Sequence, residues 1–170
     1  MQREHEDQTV STAHRHFLRG RGETGQASVE FALLLPVLLI VLLGVLDFGR
    51  AVNYYNTLTE LAAEGARSAA VNVNPDGSAV AGTSIQNQIK CQAVSKELRQ
   101  SATFHVNIAS IGTGNPSPIP AGQPVQVQAT YSFAFIPFLK LTSVSLVGSA
   151  TMRAERKSTY TLGNDTVTCP

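Results

Sequence analysis

The sequence predicts an α+β fold in which a long N-terminal helix, membrane-spanning in its first half, precedes a short helix and a small antiparallel sheet. Three observations predict it. An uncharged apolar run covers residues 31–46, small apolar residues then recur every three or four positions, and later segments alternate apolar with polar residues. These patterns are typical of a membrane span, of one helix face and of half-buried strands.

Size and charge narrow the classes of function. The chain has 170 residues, and its formal net charge is +1 because 13 basic side chains oppose 12 acidic ones. One domain plus an anchor fits this length. A nucleic-acid-binding protein clusters Lys and Arg to neutralise phosphates. The balance therefore argues against nucleic acid as a partner, whereas the apolar run makes membrane lipid an expected one.

The apolar run is expected to cross the membrane as one helix. Residues 29–48 would make about 30 Å of helix, which matches the hydrocarbon core of a bilayer. A cleaved secretory signal has a shorter apolar region followed by small residues, whereas the stretch DFGR at 47–50 follows this run. We therefore assign residues 26–50 to a transmembrane segment that stays in the mature protein.

The flanks of the run predict its orientation. Residues 1–25 are polar and of mixed charge, and three arginines between positions 15 and 21 precede the run closely. Basic residues favour the cytoplasmic side of a membrane. We therefore expect residues 1–25 to be a cytoplasmic leader and the rest of the chain beyond the span to lie outside. Tyr54 and Tyr55 would then belong to an outer aromatic belt.

The helix is expected to continue to about Val73. One face of it would carry small apolar residues at helical spacing, namely Ala51, Tyr55, Leu58, Ala62, Ala66, Ala69 and Val73. The turn-forming stretch 74–77 then ends the helix. The alternative is a break near Gly49, which would give two shorter helices. We assign residues 51–75 to an exposed continuation of the helix and 76–170 to an extracytoplasmic α+β domain.

That domain is expected to contain a second helix and three strands. The helix would cover residues 84–100 and bury Ile85, Ile89, Ala93 and Leu98. Alternating patterns predict strands at 104–109, 125–135 and 144–152. We expect an antiparallel sheet with one face packed on helix and the other in water.

The chain has two cysteines, Cys91 and Cys169. Two thiols are too few for a four-cysteine zinc site. If the region lies outside the cytoplasm, we expect a disulfide between them, and the alternative is two free thiols. The tail from Glu155 to Pro170 is expected to be too hydrophilic to dock by burial, so the disulfide would be what ties it down.

No pattern predicts an active site. The sequence has neither a phosphate-binding loop nor a dinucleotide fingerprint, and His105 is the one histidine beyond the leader. Glu60 and Glu64 stand one helical turn apart, but we expect a solvated face with Arg67 as partner. We therefore expect no catalytic residue, no cofactor, no metal site and no enzymatic activity.

The segment Phe133–Leu139 is the most apolar stretch outside the span. Exposed, it would be a contact patch for a partner or for the membrane surface. The alternative is that it closes the core over the edge of the sheet.

The junction between leader and helix is the most informative feature. A polar leader ends in Gly25, and Glu30 stands at the mouth of the apolar helix, where a carboxylate is costly. This stretch, with the motif at Asp47–Arg50 and the run AAEGAR at 62–67, resembles the TadE-like family of pilin-like proteins of the tight-adherence (Flp-type) pilus system. The resemblance covers Gly25–Val71.

The resemblance implies a function and a processing step. A prepilin peptidase would cleave after Gly25, leaving Gln26 as the new N-terminus and Glu30 as an assembly residue. Asp47 and Arg50 would form the membrane-exit motif. The protein would be a minor pilin or pseudopilin that associates with other pilin-like subunits and the pilus assembly platform.

Two other functions stay open at this point. The chain could be a single-pass membrane protein whose outer domain binds a ligand, never cleaved at Gly25. A secreted enzyme with a cleaved signal is the third hypothesis, and the missing catalytic set argues against it.

Overall fold

A computed structural model describes residues 23–114, 116–135, 142–167 and 169. They divide into two compact units, the first ending at Val45 and the second beginning at Leu46. The helices are α1 (Glu23–Val71), α2 (Ser84–Cys91) and α3 (Lys96–Arg99), and the strands are β1 (His105–Ser110), β2 (Pro124–Phe135), β3 (Thr142–Arg153) and β4 (Gly163–Asn164). This confirms the predicted α+β class.

The described part of the first unit is the N-terminal part of α1. Its apolar side chains are exposed from Val29 onward, and Pro36 lies inside the helix. Within the described residues, α1 is the one helix long and apolar enough to cross a membrane by length and composition. The helix is unbroken at Gly49, so the alternative of two shorter helices is wrong.

The second unit contains a four-stranded antiparallel sheet in the order β3-β2-β1-β4. The three predicted strands are confirmed. Along β1 and the first half of β2, buried residues alternate with partly exposed ones, so one face of the sheet is buried. Strand β4 was not predicted, because two residues are too short for an alternating pattern.

Helix α1 packs on the buried face of this sheet. Tyr54 lies against Tyr131 near the end of β2, and Gly65 faces Val127 near its start, where a Cβ on Gly65 would come within 3.0 Å of the valine Cγ1. The C-terminal part of α1 therefore runs antiparallel to β2 and parallel to β3. Beyond β3, the Glu155 N–H donates to the Ala70 carbonyl at 2.8 Å.

The core lies between α1, α2 and the sheet. Its largest fully buried apolar side chains come from all of these elements and their connections: Leu58, Ile85, Ile89, Leu98, Phe104, Val106, Ile108, Ile119, Val125, Val127 and Phe133. Small residues of α1, such as Ala62 and Ala66, are also fully buried, because they let the helix approach the sheet closely.

The prediction of one continuous helix over residues 84–100 is wrong, because two shorter helices lie there. The chain leaves α2 after Cys91 and starts α3 at Lys96, where Ser95 Oγ accepts a hydrogen bond from Leu98 N at 3.3 Å. The four predicted apolar positions are nonetheless all buried. The step from Ala93 to Leu98 is five residues, which would turn the side chain well away from the core in one continuous helix, since each residue rotates about 100°.

Candidate functional site

The predicted processing and assembly residues lie close together at the start of α1. Gly25, Gln26 and Glu30 are all exposed, and the peptide bond after Gly25 lies within the helix, which begins at Glu23. The Gln26 Nε2 donates to Glu30 Oε1 at 3.2 Å. Positions 26 and 30 therefore face one another one turn apart. Cleavage at this bond and the assembly role of Glu30 stay predictions.

The membrane-exit motif forms ion pairs in the second unit. Arg50 Nη1 lies 3.5 Å from Asp47 Oδ1, and its Nη2 lies 3.3 Å from Glu97 Oε2. Asp47 is buried, whereas Glu97 remains largely exposed. The sequence analysis identified Asp47 and Arg50 as site residues. It did not identify Glu97, which lies 47 positions along the chain from Arg50.

Tyr54 completes this cluster. Its hydroxyl donates to Glu97 Oε2 at 2.6 Å, and this hydrogen bond, with the charge of Arg50, holds the pKa of the Glu97 carboxyl below its usual value. Tyr54 is buried and Tyr55 is half-exposed. The aromatic-belt prediction is therefore wrong for Tyr54, because the tyrosine ring fills the space between α1 and the sheet.

Aromatic contacts extend this cluster from Tyr54 to β2. The Tyr54 ring centroid lies 5.4 Å from that of Tyr131 and 5.8 Å from that of Phe133, and Phe133 meets Phe135 edge-on at 5.0 Å. The Arg50 guanidinium lies 5.9 Å from the Phe133 centroid, within the range of a cation–π contact. Burial is the main cause that raises the pKa of Tyr131.

These contacts bear on the two interpretations of the apolar segment 133–139. Phe133 is buried and closes the core over β2, as the second interpretation predicted. Phe135 is half-buried. Residues 136–139 lie outside the described residues, so the contact-patch hypothesis is not tested there.

A buried ion pair that the sequence did not indicate joins α2 to the tail. Lys90 Nζ lies 2.5 Å from Asp165 Oδ2, and the two side chains are 4% and 2% exposed. The second carboxylate oxygen accepts from Val106 N at 2.8 Å and lies 3.4 Å from Nδ1 of His105, whose side chain is half-exposed. No periodicity marks these residues, since they come from three separate segments.

The disulfide prediction is confirmed. Cys91 is bonded to Cys169, with Cα atoms 5.3 Å apart. Because Lys90 and Cys91 are neighbours, the tail is held to the end of α2 by a covalent bond and by an ion pair.

The expectation that the tail is too hydrophilic to dock by burial is wrong. Ser158 and Tyr160 are buried, and the Tyr160 hydroxyl donates to the Ala69 carbonyl at 3.2 Å. Burial raises the pKa of Tyr160 to about 12. The polar tail docks because its buried polar groups find specific partners, which hydropathy does not register.

The face of α1 that carries Glu60 and Glu64 is solvent-exposed and has Arg67 as an ion-pair partner, as predicted. Arg67 Nη1 lies 3.8 Å from Glu64 Oε2, and both side chains are exposed. Within the described ranges, no three His, Cys, Asp or Glu side chains are grouped as metal ligands.

The chain is therefore an α+β protein, and in the part that the structure describes one helix, the apolar α1, is suited to a single membrane crossing. The family model described as TadE-like protein matches residues 25–67, which confirms the resemblance inferred from the sequence over those residues. The match indicates a pilus-associated protein. Neither a comparison with curated proteins nor one with solved structures gave a match.

Proposed function

We propose that this chain is a minor pilin or pseudopilin of a tight-adherence pilus or secretion system, with a structural role in pilus assembly. The observation that carries the proposal is the TadE-like match over residues 25–67, which falls on an apolar helix that also supplies part of a folded core. A strand-bearing unit of this size suits a minor component better than a short major pilin.

The proposed location is the cell membrane, with residues 1–25 in the cytoplasm and the domain of residues 76–170 outside. The apolar stretch of α1 supports a single crossing. The Cys91–Cys169 disulfide supports the orientation, because disulfides persist in oxidising compartments and are rare in the cytosol. The same exterior location places the domain where other surface subunits would meet it.

Processing by a prepilin peptidase after Gly25 would create a charged N-terminus. The new α-ammonium would belong to Gln26, one helical turn from Glu30. Each of these charges costs free energy if it moves into hydrocarbon. In a neighbouring subunit shifted along the helix axis, the Glu30 carboxylate would meet an ammonium group. Such a pair sets the register between helices, since an unpartnered buried charge is expensive.

The membrane-exit motif has a different proposed role, which is to fix α1 to the rest of the second unit. We call this unit, which begins at Leu46, the head. Arg50 bridges Asp47 on its own helix and Glu97 on α3, while Tyr54 bonds the same glutamate. These contacts hold the first exposed turns of α1 on the domain at the level where the apolar run ends.

The partners proposed are other pilin-like subunits and the assembly platform. The exposed apolar side chains of the first unit support association with lipid and with similar helices. The family match supports the proposed role in pilus assembly.

The mature N-terminus tests this proposal. Mass spectrometry of protein extracted from membranes of cells with an active prepilin peptidase should find Gln26 first. Gly25→Leu should retain the leader, while the adjacent control Thr24→Ala should be cleaved normally. An intact leader on the wild-type protein would favour the uncleaved single-pass binding protein, and a start beyond about residue 45 would favour a cleaved secretory signal, whose apolar region is removed.

A further inference from the structure

The α2–α3 loop carries an exposed apolar residue three positions before Glu97, which contacts Arg50 of α1. Val94 is 91% exposed, and the exposed cation of Lys96 follows two residues later. Glu97, in the next position, touches both Arg50 and Tyr54. Three residues of chain span at most about 11 Å, so Val94 lies within that distance of Glu97 along the backbone.

Arg50, four residues after the end of the apolar run, is expected at the level of the lipid headgroups together with its partner Glu97. The uncharged run ends at Leu46, and four helical residues rise about 6 Å to Arg50. A bilayer has about 5–8 Å of headgroup layer on each side of its hydrocarbon core. A lipid surface around Leu46 therefore reaches Arg50 and the Glu97 carboxylate bonded to it.

We propose that the α2–α3 loop contacts the lipid headgroup layer, with Val94 inserted among the headgroups and Lys96 beside the lipid phosphates. An apolar side chain next to a cation is the composition of interfacial segments, where the apolar group gains burial and the ammonium stays among charged oxygens. This contact gives the head a second point of attachment besides α1. The inference rests on the proposed membrane anchor.

The opposite end of the sheet supplies a control surface. Ile111 is 49% exposed, and its N–H donates to the carbonyl of Pro124, the first residue of β2. Phe133, which lies near Arg50, is close to the other end of that strand. At about 3.3 Å per residue, these two ends are roughly 35 Å apart, so a lipid surface that reaches Val94 does not reach Ile111.

The chain contains no tryptophan, so a single introduced indole reports its own position. The full chain would carry Val94→Trp, Ile111→Trp or Val41→Trp, the last within the apolar run, in vesicles of phosphatidylethanolamine and phosphatidylglycerol. We expect Val94→Trp emission to shift to shorter wavelength and to lose intensity with brominated lipids, while Ile111→Trp behaves as in water. All three positions are exposed in the isolated chain, so each variant is expected to fold.

The outcomes test the loop contact and the membrane anchor separately. Quenching at position 41 with a water-like signal at 94 would overturn the loop contact and leave the anchor standing. A water-like signal at position 41 would overturn the anchor and the loop contact with it. Equal quenching at 94 and 111 would also overturn the inference, because it would indicate lipid contact over the whole head.

Discussion

Leu58 of α1 crosses Gly148 of β3 so closely that a Cβ at position 148 would collide with the leucine backbone. The helix therefore approaches the sheet at backbone distance at this point. Gly148 pairs with Ala129 of β2, another small residue, and together they make room for the helix.

Gly148→Ala is expected to lower the free energy of unfolding by about 1–3 kcal/mol, because overpacking forces the helix and sheet apart. Gly49→Ala is the matched control, since a Cβ added at this position of α1 would meet no atom within 4 Å and alanine favours helix by up to about 1 kcal/mol. Thermal unfolding followed by circular dichroism in detergent measures both. A Gly148→Ala protein as stable as the wild type would contradict the close packing.

The Tyr54–Glu97 hydrogen bond should make stability depend on pH. The pKa of Glu97 is lowered from 4.5 in the folded state, first by Tyr54 and then by Arg50. The group therefore contributes stability that is fully present above 4.5 and is lost as the pH falls through the folded-state pKa. Because the Glu97 side chain is 68% exposed, solvent screening keeps this contribution small.

Tyr54→Phe is expected to raise the pKa of Glu97 toward its usual value, since it removes the shortest hydrogen bond to the carboxylate. Carbon-13 NMR of the glutamate carboxyl across the acidic range measures the change. Tyr55→Phe is the control, because the neighbouring tyrosine is half-exposed. If the Glu97 titration is the same in Tyr54→Phe and the wild type, the hydrogen bond does not form in solution.

The Lys90–Asp165 pair should behave as a buried ion pair. Lys90→Met leaves the Asp165 carboxylate without its cation, and breaking such a pair costs about 3–5 kcal/mol. The double variant Lys90→Met/Asp165→Asn should recover part of that loss, since the unpaired charge is gone and one oxygen remains for Val106 N. Urea unfolding in a double-mutant cycle measures the coupling.

The exposed pair Arg67–Glu64 supplies the comparison for that cycle. Arg67→Met is expected to change stability by less than about 1 kcal/mol, as for other surface ion pairs. Equal effects of Lys90→Met and Arg67→Met would show that burial does not distinguish the two pairs.

Glu30→Ala tests the proposed charge pairing in assembly. The variant should still insert, and be cleaved after Gly25, but should no longer co-purify with its pilus partners. Glu60→Ala is the matched control, because it removes an exposed helical carboxylate from the second unit. Normal assembly of correctly cleaved Glu30→Ala would show that the charge of Glu30 has no role in assembly.

The sequence by itself determined the elements whose apolar residues recur at a regular spacing or form one long uncharged run. The uncharged run, the stripe of alanines on α1 and the alternation of Val125, Val127 and Ala129 each repeat one local rule over many residues. The disulfide was also predicted, on the condition that this region lies outside the cytoplasm, since two cysteines allow one intramolecular pairing.

Only the tertiary structure decided which distant residues meet. Glu97 joins Arg50, and Asp165 joins Lys90, across 47 and 75 positions of the chain, and neither acid differs from a surface residue in local pattern. The break between α2 and α3 depends on a serine cap and on burial of both Ala93 and Leu98. Local periodicity fixes which face of an element is buried, whereas the partner of a charged group depends on how separate elements pack.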